Sequence, residues 1–422
     1  MNKSIVLLIT LLCIAVVGNA QGTMVQPDTV FMTVSEAETR LVAENLTLLA
    51  AHYDIDLAKT KVLDAKLWNN PNINYAQGLY TPTTGKYLDN TKTGTYSIQI
   101  QQLFSIAGKH TNTVKLSRIN EKMTEMQFND MVRSLKYQLY TDMNTLNTDQ
   151  MMAKVFDYQM EKLAVLLTSM NQEKTLGVIA GNEVLRVRAE LEELKNTAAM
   201  NFSEMMTTEK DLKILLNLPF HSYIIVKELP IPTKIIPSLP ELIAVAATNR
   251  ADLMLTKATV EYQMQNIKLQ KSLAVPDLTL GVSRDESGSF APNIEEISIG
   301  FDVPLFNRNQ HQIKMAKHSM AQAIIKDSLQ RNTLENEVAD AVIHYQNMQK
   351  QFNTMDSDFD TMLEEMNTSA LANYSKHFIS LVDFLDQIRT FSASKTSFLQ
   401  LKKQKIDAIN YLNFVVGIPI IK

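Results

Sequence analysis

The stretch that decides the fold is YSIQI at residues 96–100, because it returns about 200 residues later as ISIGF at 297–301. Apolar and polar side chains alternate in both copies, which is typical of a β-strand with one apolar face. Other short pieces recur at a similar spacing: NPNIN at 70–74 with AVPDL at 274–278, LF at 103–104 with LF at 305–306, and LLNLP at 215–219 with VVGIP at 415–419. A period this long predicts a duplicated half-domain rather than a solenoid.

Long windows between these pieces contain neither glycine nor proline, and the longest covers residues 305–416. Such windows predict long helices, and a 60-residue helix is roughly 90 Å long. Within the last window, apolar residues alternate at three- and four-residue spacing, as in a heptad seam that packs on a partner helix. Its methionines are interpreted as core packing rather than a metal ladder. The seam comprises Val338, Ala341, Tyr345, Met348, Phe352, Met355, Phe359, Met362 and Met366.

Four strands are predicted, at about 72–80, 95–104, 277–284 and 295–304. Their alternation fits a soluble sheet with one wet face or a membrane barrel with its apolar side chains toward lipid. Four strands are too few to close a barrel, since the smallest membrane barrels use about eight. Because open sheet edges are not tolerated in lipid, membrane insertion requires several chains to pool their strands.

The N-terminus has the pattern of a secretory signal peptide at residues 1–20, with Lys3, an apolar run and a small-residue cleavage site. Cys13, the single cysteine, lies within it, and its leucine neighbour Leu12 disfavours a lipid anchor. After this segment no apolar run reaches the roughly 18 residues of a spanning helix. The formal net charge of −4 does not indicate nucleic-acid binding. The sequence therefore predicts an exported protein.

The repeats set the predicted domain boundaries. The first repeat is expected at 21–218, with long helices at about 109–216, and the second at 241–422, with long helices at about 308–416. Residues 219–240 contain five prolines and are expected to form a linker that is extended or an edge strand, rather than helical, and that lies on the outside of the helical body.

Several pieces resemble one known family. They are WNNP at 68–71, VPD at 275–277, LFSIAGK at 103–109, VPLFNR at 303–308, YSKHFISLVDFLD at 374–386 with the following Arg389-Thr390, and GVIAGNEVL at 177–185, 200 residues before its counterpart. Together they are similar to the TolC-like outer-membrane efflux proteins, from about Val34 to Pro419, and somewhat closer to the heavy-metal efflux branch.

This resemblance implies a mainly α protein with a small membrane β-barrel portion. It implies a homotrimer in the outer membrane lipid, whose protomers each give four strands to a 12-stranded barrel and helices to a periplasmic tunnel. It also implies a passive channel rather than an enzyme, without cofactor or resident metal. An inner-membrane pump and a periplasmic adaptor protein are the implied partners.

The resemblance also implies roles at the helical tips. Asp383 and Asp386 match acidic positions that form rings at the tunnel mouth, where clustered carboxylates attract cations. The alternative is two ordinary solvated carboxylates. Tyr374 matches a residue that latches the closed state, and Glu183 and Arg186 are the first-tip equivalents of the two aspartates. His377 stands where the family has glycine, and Ile379 where it has a basic latch residue.

Two other functions stay open on the sequence alone. A periplasmic coiled-coil adaptor or structural protein also uses long helical hairpins, although such adaptors have one hairpin and not a repeat of the whole unit. Heavy-metal export would suit the 22 methionines, since thioethers bind Cu(I), but most lie at seam positions. The seven histidines form no recognisable ligand pair. The transported substrate is not predicted.

Overall fold

The computed structural model describes residues 28–227, 232, 235–288, 294–355 and 358–421. The predicted signal peptide at 1–20 and Cys13 lie outside these residues. Two compact units are formed, each from three separate segments. Of the described residues, those within Met1–Leu41, Asp142–Pro230 and Leu363–Leu399 form the first unit, and those within Val42–Thr141, Ile231–Met362 and Gln400–Lys422 form the second.

Helices make up most of the described chain, as the sequence predicts. They are α1 Val34–Glu44, α2 Leu46–Ala65, α3 Lys109–Thr175, α4 Gly181–Leu215, α5 Leu239–Asn249, α6 Ala251–Leu273, α7 Gln310–Asn353, α8 Phe359–Ser375 and α9 Leu381–Val416. None of the helices among the described residues is long and apolar enough to cross a membrane.

Strands contribute a small share of the described chain. They are β1 Thr29–Met32, β2 Asn72–Gln77, β3 Tyr80–Thr81, β4 Lys86–Tyr87, β5 Thr95–Phe104, β6 Tyr223–Val226, β7 Leu278–Ser287 and β8 Ile294–Phe301. The second unit holds an antiparallel sheet in the order β2-β5-β7-β8 and the short hairpin β3-β4. The mainly α fold class with a small sheet is therefore confirmed.

The four-stranded sheet separates apolar from polar side chains. Its register pairs Ile73 with Ile100, Ile100 with Val282, and Val282 with Ile297, so these side chains share one face. All four are exposed, although they are among the most apolar residues in the chain. The opposite face carries polar side chains such as Gln99, Ser283 and Glu296, because successive residues of a strand point to opposite sides.

Each unit has its own apolar core. In the first unit, buried residues from α3, α4, α8 and α9 pack together, among them Leu163, Val187, Ala370 and Phe384. In the second unit, buried residues from α5, α6, α7 and α9 do the same around Val338, Ala341 and Leu412. Met152 and Met170 lie within the first core, but neither belongs to the predicted seam, whose methionines Met348, Met355, Met362 and Met366 are not buried.

The predicted position of the linker is wrong in part. Residues 223–226 form β6, which pairs in parallel with β1, a strand that the sequence analysis missed. Ile224 is only 1% exposed, so this segment packs into the first unit and not on its outside. Gln150 donates to the Ile224 carbonyl at 2.6 Å, and the Ile224 amide donates to Glu209 at 3.1 Å. Helix α5 also begins at Leu239, inside the predicted linker.

The predicted heptad seam is wrong beyond Met355. Helix α7 ends at Asn353, and α8 begins at Phe359. The sequence NTMDSD at 353–358 lacks glycine and proline, but the Thr354 hydroxyl donates to the Gln351 carbonyl at 2.8 Å, a side-chain bond of the kind that competes with helical backbone hydrogen bonds. After the restart the buried positions shift by one residue. Met362 is 52% exposed, and the buried residues are Leu363, Asn367 and Ala370.

Candidate functional site at the helical tips

The second tip joins α8 to α9 through a tight turn whose bonds define a Schellman motif. The Phe378 amide donates to the Asn373 carbonyl, and the His377 amide to the Tyr374 carbonyl, both at 2.9 Å. His377 has a φ of +58°, in the left-handed region that favours glycine. The turn therefore requires a left-handed residue at position 377, and histidine occupies it.

Asp383 and Ser380 cap the N-terminus of α9. The Asp383 Oδ2 accepts from the Ser380 hydroxyl at 2.7 Å and from the Ser380 amide at 3.2 Å, while the Asp383 amide donates to the Ser380 hydroxyl at 3.2 Å. This reciprocal arrangement is a capping box. The hydrogen bond from the Ser380 hydroxyl, and then the one from its amide, holds the pKa of Asp383 below its usual value. The spacing Ser-x-x-Asp indicates this cap in the sequence, and the sequence analysis missed it.

Asp386 lies one turn further along α9 and lines an open groove of about 300 Å³. The other charged residues of the groove are Arg186 from α4 and Arg389 from α9. Its apolar part is formed by Ala189, Val382 and Leu385. The structure thus brings together Asp386 and Arg186, two residues that occupy equivalent positions of the two repeats.

Arg389 is bound to Glu190, a partner that no sequence pattern reveals. The Arg389 Nε donates to Glu190 Oε2 at 2.7 Å, although the two residues are 199 positions apart. Glu190 is buried, while Arg389 is largely exposed. The hydrogen bond to Glu190 raises the pKa of Arg389 above its usual value, and the charge of Glu190 raises it further. This ion pair connects α4 with α9.

Gln159 of α3 forms a second polar connection to α9. It is buried, donates to the Ile388 carbonyl at 3.3 Å and accepts from the Ser392 hydroxyl at 2.8 Å. Lys395 of the same helix reaches Glu364 of α8 at 2.8 Å. Helix α9 is therefore held to three other helices by side chains with distinct partners.

Tyr374 is half-buried and packs against the apolar core of the first unit. Its ring lies 5.2 Å from the ring of Phe384. Burial raises the pKa of the Tyr374 phenol, and the charges of Glu183 and Glu173 raise it further. Tyr374 and Glu183, both predicted latch residues, are thus within electrostatic reach of each other. Ile379, a partly buried residue, packs against the same core.

No group of three histidine, cysteine, aspartate or glutamate side chains within the described parts of the chain is arranged to hold a metal ion.

Comparison with known proteins identifies the class. Residues 242–417 match the family model for outer membrane efflux proteins. Curated proteins gave no match. The chain is similar to the solved structure of CusC, with a TM-score of 0.73, 16% identity and coverage of 91% of this chain and 92% of the other.

Two further channels show the same similarity. The Campylobacter jejuni CmeC outer membrane channel has a TM-score of 0.73 at 15% identity, covering 91% of this chain and 85% of CmeC. The open state of the Neisseria gonorrhoeae MtrE outer membrane channel has a TM-score of 0.70 at 13% identity, covering 92% of this chain and 89% of MtrE. This chain therefore carries an outer membrane efflux protein domain, and the described chain has the fold of outer-membrane efflux channels. The resemblance seen in the sequence is confirmed.

Proposed function

We propose that this protein is the outer-membrane exit duct of a tripartite efflux system and conducts substrates passively. The family match and the shared fold support a channel rather than an enzyme. The proposal places the four-stranded sheet in the outer membrane and the helical tips in the periplasm, after export by the signal peptide. An inner-membrane pump would supply the energy, and a periplasmic adaptor would join pump and duct.

The four-stranded sheet is the observation that carries this proposal. Its apolar face is exposed, with Ile297 at 83% and Val282 at 61% exposure, which is unfavourable in water but suits lipid. Within the described chain, β2 and β8 each pair on one side only. Because an open edge is costly in lipid, three protomers would join edge to edge into one closed sheet of 12 strands. A homotrimer follows from this arrangement.

The tips would form the periplasmic mouth of the duct. Asp383 and Asp386 are both exposed and lie three residues apart on α9, so they are neighbours on its surface. In a trimer they would form two carboxylate rings, which focus negative potential on the axis. Tyr374, Glu183 and Arg186 are the proposed latch residues of the closed mouth.

The periplasmic adaptor alternative lacks a comparable observation, since the chain shares its fold with channels over 91% of its length. The heavy-metal variant is likewise not favoured over the general duct. The substrate class therefore depends on the pump that the duct serves.

The proposal is tested with detergent-purified protein. Light scattering should give the mass of three chains, and planar bilayers should show a small, cation-selective conductance. Asp383→Asn/Asp386→Asn should reduce the cation selectivity. The control is Asp54→Asn/Asp64→Asn, which removes two exposed aspartates from α2 and should leave selectivity unchanged. A soluble monomer without conductance would rule out the duct.

A further inference from the structure

The charged side chains at the second tip differ in whether another group of the protein already binds them. Glu190 compensates Arg389 directly, because the two side chains are joined at 2.7 Å and the carboxylate is buried. Asp383 keeps its negative charge but uses one oxygen to cap α9. The charge of Asp386 also acts on Arg389 and helps to raise its pKa. Arg186 is the other cation that lines the groove, and both Arg186 and Asp386 are exposed.

Arg186 is also not neutralised elsewhere in the described chain, where no ion pair or hydrogen bond of its guanidinium is found. A groove of this size keeps its lining charges within about the 10 Å over which salt screens them at moderate ionic strength. The positive potential of Arg186 therefore overlaps the negative potential of Asp386. In the groove, Asp386 therefore lies with Arg186 as well as with Arg389, which is paired to Glu190.

We propose that Arg186 sets the ion selectivity of the mouth by offsetting the charge of Asp386 in the groove that both residues line. This inference rests on the proposed duct and deepens it, since it names a selectivity residue that the acidic-ring prediction lacks. The duplication explains how the arrangement arises. The same position of the two repeats carries arginine in one and aspartate in the other, and the fold brings both into one groove.

The consequence is a mouth of moderate selectivity rather than a strong cation filter. Small cations are favoured only by the net negative charge that remains, and anions are not strongly excluded. Removing Arg186 should expose the full field of Asp386. Removing Asp386 should leave Arg186 unbalanced and shift selectivity toward anions.

The test is the reversal potential of the detergent-purified trimer in a planar bilayer with a salt gradient. Arg186→Gln should raise the cation-to-anion permeability ratio by about threefold, the effect expected when a unit charge several ångströms from the ion path is removed in a water-filled mouth. Asp386→Asn should lower the ratio, and Arg186→Gln/Asp386→Asn should return it close to the wild-type value. Arg186→Lys keeps the charge and should keep the ratio.

Arg188→Gln is the matched control, because Arg188 is exposed on the same helix but does not line the groove. If Arg186→Gln changes the ratio no more than Arg188→Gln while Asp386→Asn still changes it, Arg186 has no role in selectivity and the duct stands. If the wild-type trimer does not conduct at all, the duct itself is refuted, and this inference with it.

Discussion

The first tip, the turn between α3 and α4, has the same backbone geometry as the second tip, the turn between α8 and α9. The side chains of the two tips differ. In the first tip the Val178 amide donates to the Glu173 carbonyl at 2.9 Å, as Phe378 does to Asn373 in the second. Gly177 has a φ of +73°, and its counterpart His377 has one of +58°. The turn is therefore the same at two places 200 residues apart. The duplication has preserved the backbone geometry of the turn, while side chains with quite different properties occupy it.

The difference lies in how each tip is stabilised. The second tip has a side-chain cap, an aromatic pair and a buried Leu381. At the first tip α4 begins after Ala180 with no side-chain cap, and Lys174 takes the place of Tyr374. The second tip also holds Asp383 and Asp386, the two proposed acidic mouth residues. A rigid frame around Asp383 and Asp386 is what a charge-selective mouth requires, because the position of a carboxylate determines the potential that it produces.

The aromatic packing of the second tip should give the largest difference. Phe384 is fully buried, whereas its first-tip counterpart Val184 is smaller. We expect Phe384→Ala to reduce the free energy of unfolding by about 3–5 kcal/mol and Val184→Ala by about 2 kcal/mol. Chemical denaturation followed by circular dichroism would measure both. Phe378→Ala is the matched control, since Phe378 is 73% exposed and its loss should cost less than about 0.5 kcal/mol. Equal effects at Phe384 and Phe378 would contradict the described core.

Substitutions of two glycines at the first tip should change the free energy of unfolding by a smaller amount, and in opposite directions. Gly177→Ala places a side chain at positive φ and should cost about 1 kcal/mol, although a Cβ there meets no atom within 4 Å. Gly181→Ala lies in the first turn of α4 and should instead stabilise by about 0.5–1 kcal/mol. His377→Gly should be within about 0.5 kcal/mol of wild type, because relief of strain is offset by a more flexible unfolded chain. Denaturation midpoints would distinguish these outcomes. A stabilising Gly177→Ala would mean that the turn is not left-handed.

The helix caps can be exchanged between the tips. Ser380→Ala should cost about 1 kcal/mol by removing the cap of α9. Ala180→Ser should stabilise the first tip by about 0.5–1 kcal/mol, since Ala180 already has an extended backbone and Glu183 stands three residues later, as a capping box requires. Amide hydrogen exchange at residues 180–183 and 380–383 would report each change locally. Protection that fails to rise at 183 in Ala180→Ser would show that the first tip cannot accept a cap.

Sequence patterns predict the elements of this molecule that depend on neighbouring residues in the chain. Alternation at 96–100 and 297–301 predicts the strands, and the gaps in glycine and proline predict the long helices. Such patterns miss features that depend on distant partners. Glu190 and Arg389 are each ordinary helix-surface charges in the sequence, and only packing of α4 on α9 joins them. Sequence patterns also miss the break after Asn353, because residues 353–358 contain neither glycine nor proline.

The titration of Asp383 should give the smallest and most local difference. Hydrogen bonds from Ser380 lower the pKa of Asp383. The stabilisation that the carboxylate gives to the helix cap is therefore fully present above the ordinary aspartate pKa of about 3.9, and it is lost as the pH falls through the lowered pKa. Hydrogen exchange at residue 383, corrected for the intrinsic rate, should therefore lose protection at acidic pH. Ser380→Ala should remove this pH dependence. The reference in the same molecule is the Glu183 amide, which donates to the Ala180 carbonyl at 3.1 Å. A pH dependence that survives Ser380→Ala would mean that another carboxylate controls the start of α9.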